Sequence, residues 1–369
     1  MRDGLYIGLM SGTSMDGVDA ALIELKDANL KLREFMAVPY APGLRGALES
    51  LVQQEHATLS EFGRLHVEIG QAFANAALAL IRKCCLDAQD VAAIGSHGQT
   101  VLHKPDATPP FSLQLGDASV IAFRTRVITI ADFRSKDIAA GGQGAPLVPA
   151  FHEFAFGNQR GETHAVLNLG GIANLTIFAK QLVLGFDCGP GNTLMDRWVL
   201  RCRGLDFDRD GEWARTGVVN EALLRALLED TYFLRQGPKS SGRDHFNLTW
   251  LLSRLTSVGT VAEADVQATL AELTASSIAD ALNRSVDACS QLAVCGGGVR
   301  NVFLMERLSA HLPRTRIVST SELGIPAEAV EACAFAWLAA RRLSNEHGNI
   351  PAVTGAPEPL VLGAIHHPG

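Results

Sequence analysis

Apolar positions along the chain recur at two spacings, and each predicts a different element. Short apolar runs closed by glycine and small polar residues predict strands, whereas apolar residues three and four apart predict helices. Leu5-Tyr6-Ile7 and Val18 to Leu25 flank Ser11-Gly12-Thr13-Ser14, so residues 5–25 are expected to form strand, turn and strand. Leu44, Leu48, Leu51 and Val52 then follow helical spacing, and Thr58-Leu59-Ser60-Glu61 has the form of a capping box ahead of Phe62, Leu65, Ile69 and Phe73. Val91 to Ile94 predicts a buried strand that ends in the polar stretch Gly95 to Thr100. A helix is expected from Gly116-Asp117 through Phe123, followed by the strand Val127 to Ile130, which ends on Asp132-Phe133-Arg134.

The pattern then restarts. His164 to Phe178 repeats the opening design: an apolar strand, a turn on Gly170-Gly171, and an outgoing strand carrying Asn174 and Thr176. This likeness predicts two similarly built halves, each offering a turn suited to phosphate. Leu182 to Phe186 leads into Asp187-Cys188-Gly189-Pro190-Gly191-Asn192, with a helix after it. Residues 204–246, ending near Pro238 to Asp244, have the polar, glycine-rich character of a surface excursion. A long helix is expected from Asp265 to Val286, then a third glycine turn at Gly296-Gly297-Gly298, a helix over 302–312, a strand over 315–318 and a helix over 327–343. Residues 137–149, rich in glycine and proline, are expected to be a loop or hinge. The expected domains are 1–131 and 132–345, with 346–369 packing back on the first.

Composition narrows the function classes. With 369 residues, 47% hydrophobic and 19% charged, the chain can bury a large core. A formal charge of −7 argues against a broad nucleic-acid-binding face. The start of the chain lacks the basic and apolar regions of a signal peptide, and no apolar run approaches a membrane span. A cytoplasmic protein with neither nucleic-acid nor membrane partners is expected. Seven scattered cysteines without CxxC spacing predict reduced thiols rather than a zinc site or disulfide frame.

Neither a GxxxxGK[ST] loop nor a GxGxxG turn opening a helix occurs, so hairpin turns are left to hold any phosphate. Asp187, at the carboxyl end of a strand, is placed for a general base, although an aspartate there could equally cap the next helix. His97 lies among Gly95, Gly98 and Gln99 at a strand end, where it could meet a ligand or serve as a core histidine. Glu331 could lie on a solvated helix face, Asp132 and Arg134 could form a surface pair, and each glycine turn could serve the chain alone.

The run Gly8-Leu9-Met10-Ser11-Gly12-Thr13-Ser14-Met15-Asp16-Gly17-Val18-Asp19 resembles the signature of anhydro-N-acetylmuramic acid kinases, within the sugar-kinase, heat-shock ATPase and actin superfamily. Ser96 to Thr100, Ala131 to Arg134, Asn168 to Asn174, Phe186 to Asn192, Cys295 to Asn301 and Glu331-Ala332 extend the likeness in order from end to end. The resemblance implies an α/β fold of two ribonuclease-H-like domains with ATP and Mg²⁺ in an interdomain cleft. It also implies the substrate, 1,6-anhydro-N-acetylmuramic acid from recycled peptidoglycan, hydrolysed across its bridge and phosphorylated on O6.

Residue by residue, the resemblance assigns the base to Asp187 and sugar contacts to Glu331. It puts Asp132 and Arg134 near substrate or phosphate, and His97 and Gln99 join them as substrate-binding candidates. For the nucleotide, Gly12, Thr13 and Ser14 are expected at the γ-phosphate, Gly170 and Gly171 at the β-phosphate, and Gly297, Gly298 and Asn301 at the adenosine end. Ser11, Met15, Asp16, Gly17, Val18, Asp19 and Asn168 complete that set. Many superfamily members carry Asp-x-Gly-Thr in the first hairpin, where Met10-Ser11-Gly12-Thr13 stands here. The magnesium ligands are therefore open, with Asp16 and Asp187 as candidates. A nucleotide-sensing module or a kinase of another amino sugar are the alternatives, and a homodimer is allowed.

Overall fold

The computed structural model describes residues 1–12, 14–157, 162–179, 182–235 and 245–369. Thr13 and the Pro238 to Asp244 stretch lie outside the described residues. The strands are β1 (Gly4–Ser11), β2 (Gly17–Lys26), β3 (Asn29–Pro39), β4 (Val91–Lys104), β5 (Phe111–Leu115), β6 (Thr129–Ala131), β7 (His164–Leu169), β8 (Ile172–Ala179), β9 (Leu182–Pro190), β10 (Gln291–Cys295), β11 (Arg316–Ser319) and β12 (Ala364–His366). They form two mixed sheets, ordered β12-β6-β4-β1-β2-β3 with β5 on β4, and β11-β10-β7-β8-β9.

The same plan is used twice. In each sheet three successive strands pair antiparallel, and the first of them also pairs parallel with a later strand. That later strand has a further parallel neighbour. The repeated hairpins led to the expectation of two similarly built halves, and the duplicated order is the ribonuclease-H-like one that the family resemblance implies. Parallel neighbours require crossovers, and helices such as Leu59–Lys83 before β4 and Glu263–Ser285 before β10 supply them. Thr58 and Glu61 form the expected capping box at the start of the first of these.

Two compact units result: Met1–Ala155 together with Ala329–Gly369, and Phe156–Glu328. The first core gathers Ile7, Leu9, Leu22, Ile69, Phe73 and Ile94, and the second gathers Leu167, Leu175, Ile177, Leu270, Ile278 and Val294. The helix Val330–Leu343 belongs with the first unit, for a steric reason. Gly8 and Gly95 pair across β1 and β4. A Cβ at Gly8 would lie 1.8 Å from the Ala332 carbonyl oxygen, and one at Gly95 would lie 2.0 Å from that of Phe335. The helix backbone thus rests directly on the two strands, and Glu331 is carried with it.

Two local expectations change. The strand expected to stop at Ile94 continues to Lys104, because Gly95, Ser96 and Gln99 pair with β1 and the remainder pairs with β5. The loop or hinge expected over 137–149 is a loop over 140–147 only, between the helices Ser135–Ala139 and Val148–Phe156, and it is pinned inside the first unit. Asp137 is fully buried, and its Oδ1 accepts hydrogen bonds from Asn349 Nδ2 and Thr354 Oγ1, both at 2.7 Å. Its Oδ2 accepts from the Gly144 amide at 2.7 Å, and the Gln143 amide donates to the Thr354 carbonyl at 2.8 Å. A buried carboxylate must find donors, and here the glycine-rich turn and the C-terminal segment supply them.

Candidate active site

In the first unit the hairpin turn is held by side chains from β1 and β4. The Ser11 hydroxyl lies 2.7 Å from both Gln99 Oε1 and the Gly17 carbonyl, and Gln99 Nε2 donates to the Gly12 carbonyl at 3.2 Å. Gln99 is completely buried, so its amide braces the turn from beneath. Met15 is buried with φ 54°, Val18 is core, Gly17 begins β2 and Asp19 sits opposite Met10. Ser14 and Asp16 are exposed, and the Ser14 hydroxyl donates to Asp16 Oδ1 at 2.8 Å.

A second group gathers at the middle of β4 and just past the end of β6. Arg134 Nε and Nη2 approach His97 Nε2 at 3.2 and 2.8 Å, while Nη1 donates to the Gly144 carbonyl at 2.7 Å. His97 Nδ1 lies 2.9 Å from the Gly98 carbonyl, which fixes the tautomer with the proton on Nδ1 and leaves Nε2 to accept from arginine. The His97 ring also packs 4.6 Å from that of Phe335. Both ring nitrogens are therefore occupied within the chain, and His97 orients Arg134. Burial lowers the Arg134 pKa to about 10, with the Glu331 and Asp137 charges opposing that shift. Asp132 is exposed, holds φ 55°, and its Oδ1 accepts from the Ser135 amide at 3.4 Å.

Buried histidines give this unit an acid-sensitive stability. Burial, then the Arg134 charge, pushes His97 well below its usual pKa; burial lowers His103 to about 4 and His152 to about 3. In the unfolded chain each titrates near about 6.5. Below that pH the unfolded state takes up protons that the folded state refuses, so this stability is intact above about 6.5 and is lost as pH falls. The slope is at most about 1.4 kcal/mol per pH unit for each group. Urea unfolding is expected to give a lower midpoint at pH 5 than at pH 7, and an unchanged midpoint would contradict the assignment.

In the second unit, strand register builds a polar row. Cys295 pairs with Asn168, Asn168 with Asn174, and Asn174 with Asp187, so four neighbouring strands each contribute one residue. Leu167, Leu169, Ala173, Leu175, Phe186 and Cys188, which flank these positions along the strands, belong to the core. Alternation therefore directs Asn168, Asn174 and Asp187 to the other face. Asn174 Nδ2 donates to Asp187 Oδ1 at 2.8 Å, and the Tyr232 hydroxyl donates to the Asp187 main-chain carbonyl at 2.9 Å. Sequence reading missed both partners, because their meeting depends on register and on a segment far along the chain.

The glycine turns of this unit pack against each other. The Gly191 amide donates to the Gly171 carbonyl and the Asn192 amide to the Gly170 carbonyl, both at 2.9 Å. A Cβ at Gly296 would lie 2.4 Å from Asn168 Oδ1, and one at Gly298 would lie 2.7 Å from Leu169 Cβ. Among the described residues a Cβ at Gly297 would meet nothing within 4 Å. Asn301 caps the helix Val302–His311, its Oδ1 accepting from the Leu304 amide at 3.0 Å.

These residues suit phosphate and magnesium in different ways. Among the described residues a Cβ at Gly12 would meet only Ser14 Oγ at 3.9 Å, so a phosphate can approach the Gly12 backbone closely. Among the described residues no group of three or more His, Cys, Asp or Glu side chains could hold a metal ion. Magnesium keeps several waters and binds through phosphate oxygens and one or two carboxylates, and the exposed Asp16 beside Ser14 is such a carboxylate. Among the described residues no helix is long and apolar enough to cross a membrane.

Residues 4–368 match the family model of anhydro-N-acetylmuramic acid kinase. The chain belongs to that family. An anhydro-N-acetylmuramic acid kinase from Xanthomonas campestris pv. campestris (strain 8004) is 50% identical over 367 residues, 98% of this chain and 97% of that protein. The protein of the same name from strain ATCC 33913 of that pathovar matches to the same extent. Among solved structures, component A of the (R)-2-hydroxyglutaryl-CoA dehydratase of Acidaminococcus fermentans is similar with a TM-score of 0.47 and 13% identity, covering 91% of this chain and 99% of that one. Membership makes the chain a kinase.

Proposed function

We propose that the chain converts 1,6-anhydro-N-acetylmuramic acid, ATP and water into N-acetylmuramic acid 6-phosphate and ADP, as a step in cell-wall recycling. Asp187 takes a proton from water as that water attacks the anomeric carbon. The bond from that carbon to the bridging O6 breaks, and O6 attacks the γ-phosphorus, releasing ADP. The observation that carries this reading is the placement of Asp187 at the end of β9, off the core face, with its carboxylate accepting from an amide. A neutral amide that donates to a carboxylate orients it as a base without handing it a proton.

Phosphoryl transfer asks the protein for positioning and charge neutralisation more than for a nucleophile. Gly12, Thr13 and Ser14 hold the γ-phosphate in this reading, Gly170 and Gly171 the β-phosphate, and Gly297, Gly298 and Asn301 the adenosine end. When bound, Mg²⁺ offsets phosphate charge, with Asp16 and Asp187 as its candidate carboxylates. Arg134, Glu331 and Asp132 face the sugar, while His97 and Gln99 support Arg134 and the first turn. A cytoplasmic setting supplies the ATP. A coupled assay of ADP release with the anhydro-sugar in ¹⁸O-water tests the whole scheme. Product labelled at the anomeric oxygen supports it, and absence of ADP release while ATP binds would sink it.

A further inference from the structure

We infer that Asn174 is a positioning residue for Asp187, and that Tyr232 completes the hold from the main-chain side. This rests on the reading of Asp187 as the base. The argument starts from an irregularity in the ladder. Ala173 pairs with Gly189 and Asn174 with Asp187, so β9 carries one extra residue, Cys188, between the two pairs. Such a bulge re-aims the side chains beside it, and bulges recur next to active sites for that reason. Here the bulge keeps Cys188 in the core while Asp187 faces Asn174 directly.

The chemistry of the pair is one-directional. An ionised carboxylate only accepts, so the contact at 2.8 Å is an amide N–H of Asn174 donating to Oδ1. The amide carries no charge and does not titrate, so it can orient a base without competing for the proton that the base must take. The main chain of the same residue is held independently. The Tyr232 hydroxyl donates to the Asp187 carbonyl at 2.9 Å, and a Cβ at Gly189 would lie 2.8 Å from the Phe233 ring, which shows how closely this segment seats on the end of β9. The Tyr232 segment is anchored in turn, since Asp230 accepts from the Tyr232 amide and from Trp250 Nε1, both at 2.9 Å. One hold fixes the direction of the carboxylate and the other fixes the backbone from which it projects. A base displaced by roughly an ångström loses about 10²-fold in rate. An Asn–Asp pair that served only the sheet would change melting and leave turnover alone.

The test uses the full chain with Asn174→Asp, which keeps the shape and removes the donor, Asn174→Ala and Tyr232→Phe, measured beside Asp187→Asn. Steady-state kcat and KM for ATP and for the anhydro-sugar are read together with melting temperatures. Both Asn174 variants are expected to lose at least about 10-fold in kcat, with each KM within about threefold of wild type, and Tyr232→Phe is expected to lose less in the same direction. The positioning role is overturned if Asp187→Asn is inactive while either Asn174 variant keeps kcat within about twofold, or if the loss appears as a rise in KM. Should Asp187→Asn itself turn over normally, the base assignment is lost, and the role of Asn174 goes with it.

Discussion

Asp187→Asn is expected to lower kcat by about 10²- to 10⁴-fold, the usual size of a general-base contribution, while ATP and the anhydro-sugar still bind. The substitution is isosteric, so the β8–β9 pairing and the Tyr232 contact to the main-chain carbonyl are preserved. What it removes is the ability to accept a proton from water in the transition state. Its signature is therefore a fall in kcat with little change in either KM, because ground-state contacts are kept. Calorimetric titration with ATP and with sugar checks binding, and stopped assays check turnover. Near-normal kcat in this variant would remove Asp187 as the base and move attention to the carboxylates of the first unit.

The largest effect on stability is expected at a residue with no assigned chemistry. Asp137→Ala should cost about 3–5 kcal/mol, because it strands three buried neutral donors at once. Asp137 is fully buried, and the deletion leaves the Asn349 amide, the Thr354 hydroxyl and the Gly144 N–H without their acceptor. Each orphaned donor costs about 1–3 kcal/mol. Gly144 also supplies the carbonyl that receives Arg134 Nη1, so loosening this turn should raise the sugar KM as well. Asp137→Asn keeps one acceptor oxygen and should fall between wild type and the alanine variant. Urea denaturation measures the first effect and steady-state kinetics the second; a loss below about 1 kcal/mol for Asp137→Ala would show that the cluster relaxes onto other partners.

Much of the architecture was legible because it is written in local periodicity. The hairpin over residues 5–25, its copy at 164–178, the capping box at Thr58 and the long helix near 265–286 all follow from spacing and end signals, which act over a few residues. The polar stretch Gly95 to Thr100 misled, since a polar run after an apolar one suggested that the strand had ended. In the structure Gly95 is a close-approach position inside β4, because a helix from the other end of the chain presses on it. No local pattern announces such a contact.

The candidate site divides the same way. Sequence alone determined which residue types were available: a carboxylate after a strand, hydroxyl-bearing glycine turns, and an ordered set of motifs specific enough to place the chain in its family. Tertiary structure alone decided what each side chain does with its hydrogen bonds. It spent the amide of Gln99 on the first turn and both nitrogens of His97 on Gly98 and Arg134. It brought the Glu331 charge to bear on Arg134, and it placed Asn174 on Asp187 through one extra residue in β9. The physical reason is range. Turn preference and periodicity are properties of neighbouring residues, whereas the partner of a buried polar group is whichever donor or acceptor the packed sheets carry to it.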